Sequence, residues 1–406
     1  MPQHQTNENG FSVLPQAKKT VAVATALPQA RNSVCGRHRA SYVNTLEGEA
    51  VLETMIILSV ALTFSVLGTP LARRVALRVG IISVPRSRDV HIAPVPLLGG
   101  VAIYAAFVIA LLFSGDRAYV RELISILLGA TLISLFGLID DRWGMAAHLK
   151  MFGQMLAGII LLIGGIQVQL FIPGPTTAPL FAMIYPHDLL NWAITLFWVV
   201  GITNAINFLD NMDGLSGGVA AIAAAFFLLL AAMNDPRQVL VGAMAAALLG
   251  ACIGFLRYNL NPATIFMGDT GSLFIGFILA ALAIKLRFLS NAPVVTWMVP
   301  VFVLALPIFD TILVFVSRLR RRVNPFTTAG KDHLSHRLVA LGMSKREAVL
   351  TCYLLAGAAG MLGTYLTQAT LGEAYVVAGL VTLGATFCLV WLERHCPAGV
   401  PNRQIL

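Results

Sequence analysis

Charge is scarce in this sequence. Of 406 residues, 12 % are Asp, Glu, Lys or Arg, while 57 % are hydrophobic. A soluble globular chain carries about 25 % charged residues, so a single water-solvated domain is excluded. Strict alternation of apolar and polar residues is also missing, which argues against a membrane β-barrel. Cysteine is sparse: Cys35, Cys252, Cys352, Cys388 and Cys396 lie far apart with no CxxC pair, which supports neither a zinc site nor a disulfide framework. No internal repeat is visible, and with it goes the inverted pairing common in transporters.

What is abundant is long apolar runs. Stretches of roughly 18–25 residues recur, each sufficient to cross about 30 Å of hydrocarbon. They predict an all-α integral membrane protein of about 10–11 transmembrane helices with a cytoplasmic active-site cleft. The eleven predicted spans fall near 51–69, 97–114, 120–139, 149–166, 189–208, 215–233, 237–256, 271–289, 294–317, 346–369 and 373–392. Residues 1–50 are polar and aperiodic and read as a disordered tail, with a start at Met55 as the competing reading. Residues 51–395 form the membrane domain and 396–406 a short tail. IQVQLFIPGPTTAP, between the fourth and fifth spans, reads as an extracytoplasmic hairpin or loop.

The formal charge is +9, but the basic residues sit in short loops, where Lys and Arg set orientation. No nucleic-acid partner is expected. The loops holding Arg73, Arg86, Arg142, Lys150, Arg257 and the run Arg318–Arg322 share one side, which the positive-inside rule makes cytoplasmic. The plasma (inner) membrane is the expected location. An odd span count puts the basic N-terminal tail on the other side, and the agreement among the loops outweighs it.

The same side collects acids. Asp140 and Asp141 end the third span, Asp210 and Asp213 the fifth, and Asp269 opens the eighth. A single helix-end Asp is ordinary, but several at one depth in Gly- and Asn-rich apolar turns mark function, because acids near the membrane are costly. In GITNAINFLDNMDGLSGG, Asn204, Asn207, Asp210 and Asp213 recur at three-residue steps and neighbour one another on a helix. Amide donors followed by carboxylates suit a divalent cation beside a phosphate or polar base. In FMGDTGSLFIGF, Asp269, Thr270 and Ser272 stand at a helix N-terminus, where anions bind and where Asp is also an ordinary cap.

PRSRDVHIAPVPLLGG offers Arg88 and His91 to a phosphate, followed by prolines and glycines that stiffen and shape the backbone. In KDHLSHR, His333, His336 and Arg337 share a helical face that could hold a pyrophosphate or shuttle a proton. Asp310, about two turns inside the ninth span, must pair with a neighbour or line the cleft. Pro307 loosens the helix beside it.

These motifs, in this order, resemble the polyprenyl-phosphate N-acetylhexosamine-1-phosphate transferases: RxxHxxPxPxxGG, the Asp140–Asp141 pair, KxxxQ at Lys150–Gln154, NxxNxxDxxDG, FxGDTGS and HxxHR. The resemblance, nearest the branch acting on UDP-GlcNAc, covers Arg86 to Arg337. It implies Mg²⁺-dependent transfer (Mn²⁺ as a substitute) of a sugar 1-phosphate from a UDP-N-acetylhexosamine to undecaprenyl phosphate, with release of UMP. Membrane lipids are implied as surroundings, and a homodimer is left open.

By resemblance, Asp269 is the metal-binding aspartate, with Asp210 as a second candidate ligand. Asp140 and Asp141 are the paired catalytic acids, their separate roles unassigned. Asp210 and Asp213 lie near the nucleotide and Asn207 is the matching amide. Phe266 stacks on uracil, Asn259 reads its edge, and Lys150 lies near the phosphates. His333, His336 and Arg337 face the pyrophosphate or sugar, and Arg88 and His91 bind substrate. The chain departs from the pattern at Asn211, where Gly is usual, and at Ser335, where His is usual. The alternatives are a phospho-MurNAc-pentapeptide transferase, whose histidine loop tends to a longer His run followed by acids, and a transporter with an intramembrane acidic ion site.

Overall fold

The computed structural model describes residues 30–83, 94–113, 119–171, 186–234, 238–288, 291–325 and 330–396. The chain divides into two units, Met1–Val51 and Leu52–Leu406, and the architecture below is that of the second. The described elements are α1 (Ala30–Val79), β1 (Ile82–Ser83), β2 (Val95–Pro96), α2 (Gly99–Leu111), α3 (Val120–Trp143), α4 (Ala147–Ile163), α5 (Pro186–Leu209) and α6 (Leu215–Met233). After these come α7 (Val239–Asn259), α8 (Gly268–Lys285), α9 (Pro293–Val303), α10 (Ala305–Arg320), α11 (Leu334–Ala340), α12 (Lys345–Leu366) and α13 (Leu371–His395).

The molecule is an all-α integral membrane protein. By length and composition, eight helices among the described residues can cross a bilayer, nine if α9 and α10 count as one broken span. Helices α2 and α4 are apolar but shorter. At 1.5 Å per residue, the 13 residues of α2 extend about 20 Å, less than the hydrocarbon thickness. It is preceded by β2, which pairs antiparallel with β1 in the register Ile82↔Pro96 and Ser83↔Val95.

The ninth span is broken for a reason visible in the sequence. Pro307 has no N–H for the carbonyl of Val303, and its ring would strike that carbonyl in a continuous helix. Helix α9 accordingly ends at Val303, and α10 leaves at 75° to it. Helices α12 and α13 begin with capping boxes, Ser344 with Glu347 and Thr370 with Glu373, which satisfy first-turn amides reciprocally.

Helix α8 is the axis of the bundle. Its apolar window is 83 % buried, against 6 % for α13, so α8 meets protein nearly all round and α13 keeps its apolar surface on the outside. In lipid there is little hydrophobic force between helices, and association depends on close van der Waals fit and small residues. At the crossing of α3 and α8 the fit requires glycine: a Cβ on Gly137 would lie 2.5 Å from the Thr270 nitrogen and 2.6 Å from the Asp269 oxygen.

Gly137→Ala therefore forces the two helices apart at the end that carries Asp141 and Asp269. Overpacking of this kind costs about 1–3 kcal/mol, so the melting temperature in detergent should fall by several degrees. Gly357→Ala on α12, where a Cβ meets nothing within 4 Å, should cause no such fall.

Candidate active site

The site is built where the ends of α3, α4, α5 and α8 meet. The first amides of a helix have no partner within it, and the positive end of its dipole favours an anion. At α8 that anion is Asp141. Its Oδ1 accepts from the Asp269 N–H (2.8 Å), and its Oδ2 accepts from the Thr270 N–H (3.0 Å) and the Thr270 hydroxyl (2.6 Å). Gly268, before these donors, has φ +66°, and a Cβ there would sit 2.5 Å from Asp141 Oδ2. The anion expected at this helix terminus is thus supplied by the protein itself.

Adjacent residues on a helix point about 100° apart, so Asp140 faces elsewhere. It meets Lys150, in the first turn of α4, whose Nζ is 2.5 Å from Asp140 Oδ2 and 2.5 Å from Asp269 Oδ2. From α5, Asn207 donates to Asp269 Oδ1 (3.0 Å) and to Ser272 Oγ (2.8 Å). One turn away on each helix, Gln154 and Asn204 exchange side-chain hydrogen bonds of 3.2 and 2.6 Å. That amide pair holds α4 beside α5 and so aligns Lys150 with Asn207.

Asp210 follows α5 directly. Among the described residues no hydrogen-bond donor reaches its carboxylate. Burial, then the neighbouring carboxylates Asp269, Asp141 and Asp213, push its pKa up to about 8. Asp213 is occupied: its Oδ2 accepts from Asn261 Nδ2 and from the Ala263 N–H, both at 3.0 Å, which shapes the loop between α7 and α8. That loop is also sewn to the end of β2, with the Phe266 N–H on the Pro96 carbonyl (2.8 Å) and the Gly99 and Gly100 N–H groups on the Phe266 and Met267 carbonyls (2.9 Å each).

Asp140 and Asp269 share one ammonium, with Asp210 beside Asp269, so carboxyl groups outnumber the cation. Hard carboxylate oxygens are the ligands Mg²⁺ prefers, and a carboxylate without a donor is an available one. Among the described residues no three acid, imidazole or thiol groups already stand at ligand distances. The fit to a divalent cation thus rests on donor chemistry, with Asp269 and Asp210 as the candidate ligands.

The histidine segment adjoins this cluster through Ser335, whose Oγ donates to Asn211 Oδ1 (2.6 Å), one residue from Asp210. His333 precedes α11 and its Nδ1 is 2.8 Å from Asp310 Oδ2 on α10. The rings of His333 and His336 lie 6.2 Å apart. Burial, then His333 and Lys331, lower the His336 pKa to about 4, so His336 is neutral near pH 7. Asp332 is held by Arg318 (2.9 Å) and Arg321 (2.6 Å).

Of the residues predicted from sequence, the structure brings Asp140, Lys150, Asn207 and Asp269 into contact, with Asp210 beside them. Three others are spent differently from the expectation. Arg337 is buried, with its nitrogens on Glu393 (2.5 Å), the Asp332 carbonyl (2.9 Å) and the Cys396 carbonyl (3.2 Å), because a guanidinium sealed from water must find acceptors. It braces the histidine segment against α13. Asn259 uses its carboxamide on the Gly214 N–H and the Ile265 carbonyl, both at 3.0 Å, and so holds backbone on both sides. Asp141 is the helix cap described above. Phe266 is half-buried beside the Pro96 strand end, and Arg88 and His91 lie outside the described residues.

Sequence reasoning named Ser272 for its place at a helix N-terminus but not as a partner of Asn207. It did not single out Asp332 or Glu393, although acids near membrane helices need partners. Gln154 stood in a quoted motif without a role.

Residues 123–287 match glycosyl transferase family 4. The chain is similar to a probable undecaprenyl-phosphate N-acetylglucosaminyl 1-phosphate transferase of Bacillus subtilis, with 32 % identity covering 76 % of this chain and 83 % of that one. It is similar to a decaprenyl-phosphate N-acetylglucosaminephosphotransferase of Mycolicibacterium smegmatis, 33 % identical over 84 % and 90 %. A phospho-N-acetylmuramoyl-pentapeptide-transferase of Oceanobacillus iheyensis is 31 % identical over 67 % and 83 %.

The raised pKa of Asp210 has a consequence for stability. In the unfolded chain this carboxyl ionises near 3.8, in the fold near 8, so the folded state loses stability as pH rises through that window. In metal-free protein, Asp210→Asn should raise the melting temperature at pH 8 by more than it does at pH 5. An equal change at both pH values would contradict the crowding of carboxylates around Asp210.

Proposed function

The chain belongs to glycosyl transferase family 4, among the polyprenyl-phosphate sugar-1-phosphate transferases, and from that premise we propose that it transfers N-acetylglucosamine 1-phosphate from UDP-GlcNAc to undecaprenyl phosphate. The observation that carries the proposal is the convergence of Asp140, Lys150, Asn207 and Asp269 from four helix ends, with Asp210 alongside. The names and coverage of the relatives supply the substrate class. The pentapeptide transferase relative aligns over less of the chain. Membership of the family removes the transporter reading.

In the proposed reaction a phosphate oxygen of the lipid attacks the β-phosphorus of the nucleotide sugar. The new P–O bond forms as the bond from the β-phosphorus to the α,β-bridging oxygen breaks, and UMP leaves with that oxygen. Polyprenyl-diphosphate-N-acetylglucosamine remains in the membrane. A phosphate monoester is already largely ionised at neutral pH, so the enzyme's main task is to bring anions together and hold them in line.

Lys150 is the cation at the centre of the cluster and neutralises phosphate charge. Asp269 and Asp210 would hold Mg²⁺, with Asn207 and Lys150 fixing the Asp269 carboxylate. A bound divalent cation supplies charge neutralisation on the diphosphate. His336, neutral near pH 7, can accept or donate a hydrogen bond without adding charge. The arginine-rich loops support a cytoplasmic cleft in the plasma membrane, where UDP-sugars are available. The product would enter cell-envelope glycan synthesis as its first lipid-linked sugar.

Purified protein in detergent, given UDP-GlcNAc, undecaprenyl phosphate and Mg²⁺, should release UMP, and EDTA should stop it. Asp269→Asn should reduce kcat by more than the about 10–100-fold typical of an outer-shell metal partner. UMP release with UDP-MurNAc-pentapeptide in place of UDP-GlcNAc would move the chain to the peptidoglycan branch. No UMP with either donor would refute the reading.

A further inference from the structure

Asp310 sits in the broken ninth span with no exposed surface, and nothing in the transfer scheme above uses it. A carboxylate at such a place is costly unless every lone pair finds a donor. Both of its oxygens are committed to the histidine segment: Oδ2 to His333 Nδ1 (2.8 Å) and Oδ1 to the Leu334 N–H (2.7 Å). The other ring nitrogen of His333, Nε2, takes no hydrogen bond among the described residues, and the side chain keeps 8 % of its surface exposed. Two features keep this segment beside the carboxylate cluster: the Ser335–Asn211 bond, and the hold of Arg318 and Arg321 on Asp332.

We propose that Asp310 is a positioning residue for the transfer reaction, fixing His333 with its Nδ1–H on the carboxylate and Nε2 as the nitrogen offered to the substrate phosphates. The hydrogen bond made by one ring nitrogen decides what the other can do. With Nδ1 committed to the carboxylate, Nε2 is the ring nitrogen left to meet the substrate. The groups facing the pair are His336 and Lys331 on the same segment, Asp332 with its two arginines, and Cys352 from α12.

A purely structural role is separable from this one. Capping Leu334 needs one acceptor oxygen, and Asn at 310 retains one. It replaces the other with an NH₂ that cannot accept the His333 proton. Asp310→Asn should therefore keep its melting temperature close to wild type while kcat/KM falls by about a hundredfold. Asp310→Glu, which keeps an acceptor for the His333 Nδ1–H, should restore part of that loss. In a His333→Gln background, Asp310→Asn should cost no more than about twofold further.

No recovery in Asp310→Glu, or the same loss in both backgrounds, would overturn the proposal. If Asp310→Asn does not fold, the wild-type protein labelled with ¹⁵N-histidine decides the matter. The resonance lost in His333→Gln should report a protonated Nδ1, and a bare Nδ1 would overturn the assignment. The proposal rests on the transferase reading, but the nitrogen spectrum needs no turnover, so failure of one is distinguishable from failure of the other.

Discussion

The contact on which the site depends is the carboxylate of Asp141 on the N-terminus of α8. It joins the end of one membrane helix to the start of the most buried one, and satisfies two backbone amides and a hydroxyl that lipid could not satisfy. An unpaired amide in hydrocarbon costs several kcal/mol, so the contact is strongly determined. Gly137 lets the two backbones approach closely enough for it, and Gly268 turns the chain in front of it. Once Asp141 is seated, the position of Asp269 follows, and Asp140 is turned towards Lys150.

Around that contact the protein sorts its few charges into two groups. In one group acids outnumber cations: Asp140 and Asp269 share Lys150, with Asp210 alongside. In the other each acid has its own partner. Asp332 meets Arg318 and Arg321, Glu393 meets Arg337 and Arg320, and Asp310 meets His333. The arginine pairs contribute little net stability but are severely destabilising when one partner is lost. Their effect is to hold a short histidine segment, whose helix has only seven residues, in one place beside the unbalanced group. Excess charge is concentrated where phosphates and a cation would relieve it.

The helices were legible because lipid imposes length and composition on a span, and each predicted span corresponds to a described helix or to the α9–α10 pair. The break at Val303 was foreshadowed by Pro307, though its 75° angle was not, since that depends on packing. Within the site, Asp140, Lys150, Asn207 and Asp269 could be named because each is a polar residue at the end of an apolar run. Residue type could not say which polar groups face the cleft and which face backbone. Asn259 and Arg337 look like ligands in a sequence, yet the loops they hold contain carbonyls and amides that need partners. Ser335 and Asn211, noted separately as departures from a pattern, turn out to touch, a relation across 124 residues of chain that linear spacing does not contain.

Asp140 and Asp141 are adjacent and chemically identical, yet one meets the Lys150 ammonium and the other caps α8. The most direct test is to compare Asp140→Asn with Asp141→Asn by thermal melting in detergent and by UMP release. Asp141→Asn should melt well below wild type, because it loses the cap on α8. Asp140→Asn should melt near wild type while releasing little UMP. Equal melting temperatures for the two variants, or a lower one for Asp140→Asn, would contradict the account.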